Sequence, residues 1–137
     1  MQITRAGSRP SQTPSLEYFT GRVRMDPIGA AEEPGRHRIL RVTFEPGART
    51  NWHTHPYGQT IHVVSGLCLA QVEGEAIEEL RPGDTAWFPA DVRHWHGAAP
   101  EVAMVHIAVQ EARDGATADW AEPVSEADYS GPRAGGS

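Results

Sequence analysis

Two histidines with one residue between them, His53 and His55, stand just before Gln59 in WHTHPYGQTIHVV, and a second such pair, His94 and His96, follows in RHWHGAA. In extended backbone, side chains at i and i+2 project to the same face, so each pair can bring two imidazoles to one point. Gln59 opens a β-branched run and adds an amide oxygen to the donors. A set of three imidazoles and one amide oxygen has intermediate hardness and suits Mn, Fe, Co, Ni or Zn without choosing among them. Four protein donors leave coordination positions open for water and a substrate, the arrangement of catalytic rather than structural sites.

The spacing carries a resemblance. Gly47, His53, His55, Gln59 and Gly66 resemble the first cupin motif, with Gln59 where most of that family has glutamate. Gly83, Pro89 and His94 resemble the second, with Asp91 in place of the usual glycine and Ala98 in place of the usual asparagine. Together the two motifs span Gly47 to Ala98. Within the cupins, GARTNWHTHPYGQT, RPGD and HWHGAAP are similar to the small bacterial group that includes the manganese-dependent (R)-selective hydroxynitrile lyases, and this closer likeness runs from Phe19 to Tyr129. It implies a jelly-roll β-barrel, a divalent metal, manganese, held by His53, His55, Gln59 and His94, and lyase chemistry on a small-molecule cyanohydrin.

Gln59 is the most informative departure. A neutral amide leaves the full charge of a divalent ion to act on whatever binds next, which favours polarising a substrate oxygen over activating dioxygen. Two further histidines are candidate proton carriers. His96 shares the parity of His94, and His106 shares a strand face with Met104, Ala108 and Gln110. An isolated histidine in such company reads as a satisfied core residue, but beside a metal site it reads as an acid/base, since imidazole titrates near neutrality. Thr50 and Gln110 are candidate hydrogen-bonding groups for a ligand. His62 falls on the opposite face from Gln59 and His37 is expected at the surface. Trp52, Trp87 and Trp95 are expected to pack the walls, and Leu40, Val42, Leu67 and Ala108 to line an apolar pocket.

Composition narrows the function. A chain of 137 residues builds one core. With a net charge of −6 it has no basic patch for nucleic acid, and no apolar run approaches the roughly 20 residues that span a bilayer. The start, MQITRAGSRPSQTPS, lacks the apolar core of a signal peptide, so a cytoplasmic enzyme is the default expectation. Cys68 is the only cysteine and reads as a small buried strand residue.

Residues 1–15, polar with two prolines, read as a flexible arm; 16–129 form a single domain; and 130–137 read as a disordered tail. In the domain, His37 to Glu45 alternates, with Leu40, Val42 and Phe44 inside. DPIGAAEEPG, from Asp26 to Gly35, reads as a loop, and Glu73-Gly74-Glu75 as a hairpin turn. Val102 to Gln110 is apolar on both faces, so Val105, Ile107 and Val109 are expected to pack on a second sheet or a second subunit, giving a homodimer or higher homo-oligomer. Ser125 is expected to cap a single helical turn ending at Tyr129, and Trp120 to anchor the tail. Short strands between Gly/Pro turns, with no long helical period, predict an all-β sandwich or barrel. Three functions fit: a metal-dependent cyanohydrin lyase, a cupin dioxygenase, and a cupin that binds a metal or small molecule without turnover.

Overall fold

Twelve strands and one helical turn make up the described part of the chain, residues 1–135 of a computed structural model. The strands are β1 (Phe19–Thr20), β2 (Val23–Ala30), β3 (His37–Phe44), β4 (Arg49–Thr50), β5 (His53–Thr54), β6 (Gln59–Gly66), β7 (Cys68–Val72), β8 (Glu78–Leu80), β9 (Thr85–Phe88), β10 (His94–Ala98), β11 (Met104–Glu111) and β12 (Asp119–Trp120). The turn is α1 (Glu126–Tyr129). One sheet has the order β2-β3-β11-β6-β9; the other runs β1-β4-β10-β5-β12, with β7 joining β10 to β8. All pairings between these strands are antiparallel. The sheets curl around one core as a jelly-roll barrel. Among the described residues no helix is long and apolar enough to cross a membrane.

The period-2 reading of β3 holds: Val42 and Phe44 are buried, Leu40 is partly buried against the core, and Arg41 is exposed. A fully buried side chain of the size of Phe44 contributes about 2–3 kcal/mol. Gly66 ends β6 at φ +80°, and a Cβ there would sit 1.7 Å from the Ala103 carbonyl oxygen, so the turn into β7 requires glycine. The expected hairpin at Gly74 joins β7 to β8.

Three expectations are corrected. Asp26 to Gly35 is not all loop, because β2 continues to Ala30. Pro27 cannot donate to a ladder, but β2 is an edge strand and its register shifts between Pro27 and Gly29, where a missing donor is tolerated. Beyond Ser130, Ile77 N–H donates to the Pro132 carbonyl at 3.0 Å and Ala134 N–H to the Ile77 carbonyl at 2.7 Å. Ile77 is buried just outside β8, so its backbone groups need partners and the tail supplies them. Gly136 and Ser137, the end of that expected tail, lie outside the described residues. Trp87 is 58% exposed rather than in a wall. Leu67 packs against a second apolar cluster and not into the pocket. In the N-terminal arm, Gln12 exchanges backbone hydrogen bonds with Met25 and extends the β2 edge.

That second cluster explains the position of β10. His94, His96 and Ala98 face into the barrel, while Trp95 points out into a layer of Trp52, Leu69, Ile77, Val124 and Tyr129. Val124 and Tyr129 bring the chain after Trp120 into this outer layer. Ser125 caps α1 by accepting the Asp128 N–H, as the sequence suggested. Tyr129 donates its hydroxyl to the Ala98 carbonyl at 2.5 Å, and buried Arg49 donates to the Val124 carbonyl and Glu126 while lying 4.2 Å from the Tyr129 ring centroid.

Candidate metal centre

Strand register brings the donors together. His94 on β10 lies opposite His53 on β5, and Gln110 on β11 lies opposite Gln59 at the start of β6. His55 follows β5 directly. Asp91, at φ 61°, donates its N–H to the His55 carbonyl at 3.0 Å. Its left-handed backbone explains why glycine is usual there and why aspartate is tolerated. His53, His55, Gln59, His94, His96 and His106 are all buried.

The hydrogen bonds fix most of the ring protons. His53 Nδ1 donates to the Asn51 carbonyl at 2.9 Å, His55 Nδ1 to the Thr117 carbonyl at 2.6 Å and His94 Nδ1 to the Val92 carbonyl at 2.9 Å. A carbonyl only accepts, so each Nδ1 carries the hydrogen and each Nε2 is left with a bare lone pair. His55 Nε2 is buried with no partner. His94 Nε2 lies 3.1 Å from Gln59 Oε1, and neither atom has a proton to share. Lone pairs converging in a buried space repel one another unless a cation sits among them, so the donor set fits a divalent ion.

Distance and proton placement select overlapping sets. The donor atoms of His53, His94 and His96 all lie within 4.8 Å of one another. The locked tautomers instead select His53, His55 and His94, which with Gln59 are the ligands expected from the sequence. His96 differs because both of its nitrogens are engaged: Nε2 lies 3.1 Å from Gln59 Oε1 and Nδ1 lies 2.9 Å from His106 Nε2. If His96 Nε2–H donates to the amide oxygen, His106 Nε2–H donates to His96 Nδ1. His106 Nδ1, buried and without a partner, then ends the chain bare.

Burial governs the electrostatics. It pushes His94 and His106 down to about 4, and holds His55 below the ordinary imidazole value. His53 and His96 are held well below that value by burial first and then by neighbouring imidazoles. All five rings are therefore neutral at neutral pH, as metal ligands and bases must be.

The cavity beside them has a volume of about 80 Å³. Its apolar wall includes Phe19, Met25, Leu40, Val42, Phe44 and Ala108, and its polar end includes Thr50, His96, His106 and Gln110. Larger surface clefts, one of about 440 Å³ beside Arg22 and one of about 650 Å³ around Tyr57, contain none of these histidines. Thr50 Oγ1 accepts the His96 backbone N–H at 3.2 Å and so ties β4 to β10. His37 is exposed, as expected, and His62, on the face opposite Gln59, is exposed too, with Nδ1 2.7 Å from Thr85 Oγ1.

Sequence reasoning missed two aromatic walls. Phe88 stacks on His94 at 3.8 Å between centroids, and Trp120, paired with His53 through β12, lies 4.7 Å from the His53 ring. Nothing in a two-residue strand announces Trp120. Phe88 could have been found from its parity with Ala86. The carbonyls of Asn51, Val92 and Thr117 were also missed, because main-chain groups leave no residue-type signal.

A double-sheeted barrel with histidines converging inside it is the architecture of a cupin, and residues 40–109 match the cupin domain model. The chain belongs to the cupin family. It is 51% identical over 129 residues to an (R)-mandelonitrile lyase from Granulicella tundricola, covering 94% of this chain and 98% of that protein. It is also similar to the crystal structure of a cupin-like protein from Thermotoga maritima, at TM-score 0.80 and 36% identity over 94% of this chain and 95% of that one. A polyketide cyclase from Streptomyces resistomycificus shares the fold at TM-score 0.72 and 16% identity, covering 94% of this chain and 90% of that one.

Proposed function

We propose that this cupin is a metal-dependent lyase that cleaves cyanohydrins to an aldehyde or ketone and hydrogen cyanide. The observation that carries the reading is the buried His96–His106 pair, which lines one small cavity together with His53, His55 and Gln59. The likeness to an (R)-mandelonitrile lyase over nearly the whole of both chains supports it. In this reading His53, His55, Gln59 and His94 hold the ion, with manganese as the expected occupant. When bound, the ion supplies Lewis acidity toward the substrate oxygen, undiminished by a ligand carboxylate.

The chain's own residues carry the rest. The apolar wall takes the substituents on the reacting carbon, and the histidines take its hydroxyl. His106 Nδ1 accepts the hydroxyl proton, with His96 anchoring its other nitrogen. The carbon–oxygen double bond forms as the bond to cyanide breaks, cyanide leaves with the electron pair, and the proton passes to it as hydrogen cyanide. No redox change occurs. Held neutral by burial, His106 is ready to accept a proton, and once protonated it readily gives it up.

Cyanide release from mandelonitrile by the metal-replete protein tests the proposal. Release above background, abolished by chelation and cut at least a hundredfold in His106→Asn with metal retained, is expected. If no aromatic or aliphatic cyanohydrin is cleaved but dioxygen is consumed with a phenol or diketone, the dioxygenase reading replaces it. If neither occurs, a binding role without turnover does.

A further inference from the structure

Gln59 and Gln110 face each other across two strands, and Gln110 also faces Arg38 on the next, so the three residues form one rung of the sheet. Gln110 Nε2 donates to the Arg38 carbonyl at 3.0 Å, and Gln59 Nε2 donates to Gln110 Oε1 at 3.1 Å. The order of these bonds is forced from the backbone end. The Arg38 carbonyl can only accept, so the amide of Gln110 must turn its nitrogen toward it and its oxygen toward Gln59. Gln59 must then present its nitrogen to Gln110, which leaves its oxygen facing His94 and His96.

We infer that Gln110 is a positioning residue that sets the amide of Gln59 so that oxygen, not nitrogen, faces the metal centre, and that this explains an amide where cupins usually carry glutamate. The inference rests on the proposed metal centre, since it assigns Gln59 to the ion. Without Gln110, rotation about the last bond of Gln59 would exchange a ligand oxygen for an NH₂ group that cannot coordinate, and the two arrangements would compete. A carboxylate at position 59 would meet the Gln110 oxygen head-on. Gln110 could relieve that clash only by turning its own oxygen onto the Arg38 carbonyl. The rung therefore accepts an amide and resists the acid, through hydrogen-bond polarity alone.

A double-mutant cycle read as Mn(II) affinity of the purified full chain, by competition with a chelating dye, separates positioning from bulk structure. Gln110→Leu is expected to weaken Mn(II) about tenfold, the scale of losing an outer partner of a ligand. In the Gln110→Leu background, Gln59→Glu is expected to restore affinity to at least the wild-type level, because a carboxylate offers oxygen in either orientation and no longer faces an opposing oxygen. A cavity or misfolding effect of Gln110→Leu would not be rescued in this way. Wild-type affinity in Gln110→Leu, or a double variant no tighter than the single one, overturns the inference.

A second measurement needs no metal. In the metal-free wild type, the Gln59 side-chain NH₂ should give a pair of nitrogen–proton resonances slow to exchange with water, and Gln110→Leu should abolish the slow exchange. If the wild type binds no Mn(II), the metal reading fails and this measurement alone decides whether Gln110 sets the amide. Fast exchange of the Gln59 amide in the wild type overturns the inference whatever the metal result.

Discussion

Without a metal ion, lowering the pH should unfold this protein through its own site. His94 and His106 are held at about 4 in the fold against an ordinary value of 6.5, so between those values the unfolded chain binds protons that the folded chain refuses. For a group whose folded value is depressed, stability is full above the unfolded value and is lost as pH falls toward the folded one. The window therefore opens near 6.5 and closes near 4. At about pH 5 each of the two groups removes roughly 2 kcal/mol of folding stability relative to neutral pH, rising to about 3 kcal/mol below pH 4, since each pKa unit is worth about 1.4 kcal/mol. His53, His55 and His96 act in the same direction. Against the usual 5–15 kcal/mol of a domain, about 4 kcal/mol or more is a large share.

The assay is urea unfolding of chelator-treated protein at several pH values between about 7.5 and 5, above the range where most carboxylates titrate. The midpoint should fall steadily below pH 6.5, and stability should change with a slope of at least two protons. His106→Leu should lower that slope by about one proton, whatever it does to stability at neutral pH. Saturating Mn(II) should raise the neutral midpoint and steepen the fall, because ligands must be deprotonated to bind. A wild-type midpoint unchanged from neutrality to about pH 5 would refute the reading of five buried neutral imidazoles.

Other outcomes follow from the same geometry. Metal content should be near one divalent ion per chain and fall sharply in His53→Ala and in His94→Ala; elemental analysis showing full occupancy in both would remove them from the ligand set. At full Mn(II) occupancy, Gln59→Glu should turn over mandelonitrile at least tenfold more slowly, because an added negative charge weakens stabilisation of the developing oxyanion; a rate equal to wild type would refute the charge argument. The outer face of the β2-β3-β11-β6-β9 sheet carries exposed Val64 and Trp87 beside half-buried Val105, Ile107 and Val109, and we propose that it closes a homodimer. Light scattering at micromolar concentration should give twice the chain mass and Trp87→Glu the mass of a monomer; a monomeric wild type would sink the proposal.

What was legible in the sequence was whatever depends on short-range period. Parity alone placed His53 with His55, His94 with His96, and His106 with Gln110, and it placed His62 outside. Pairing across the sheets was not legible. Trp87 follows the strand rule and points outward, but only the fold, in which no described residue covers it, makes that exposure. The apolar character of Leu67 points to the pocket, whereas the turn at Gly66 directs it to the other cluster. Long-range bonds were also invisible. The carbonyl of Thr117, 62 residues from His55, fixes that ring's tautomer, and no residue type marks it.

The C-terminal segment shows why a short barrel needs the chain beyond its last long strand. β10 carries His94 and His96 on one face and fully buried Trp95 on the other, so an ordered site requires a cover on the outside as well as ligands within. That cover is Val124 and Tyr129, fastened by the bond from Tyr129 to the Ala98 carbonyl and by Arg49, whose guanidinium reaches back to the Val124 carbonyl. The neutral bond from Tyr129 contributes only about 1 kcal/mol net, and the charged one from Arg49 about 1.5–3 kcal/mol. Their effect on the site is positional, because they attach to β4 and β10, the two strands joined by the bond between Thr50 and the His96 N–H. The same segment passes Thr117 and Trp120 against His55 and His53 on its way out. One stretch of chain without a long strand thus orients one imidazole through a carbonyl, packs a second through an indole, and braces from behind the strand that carries two more.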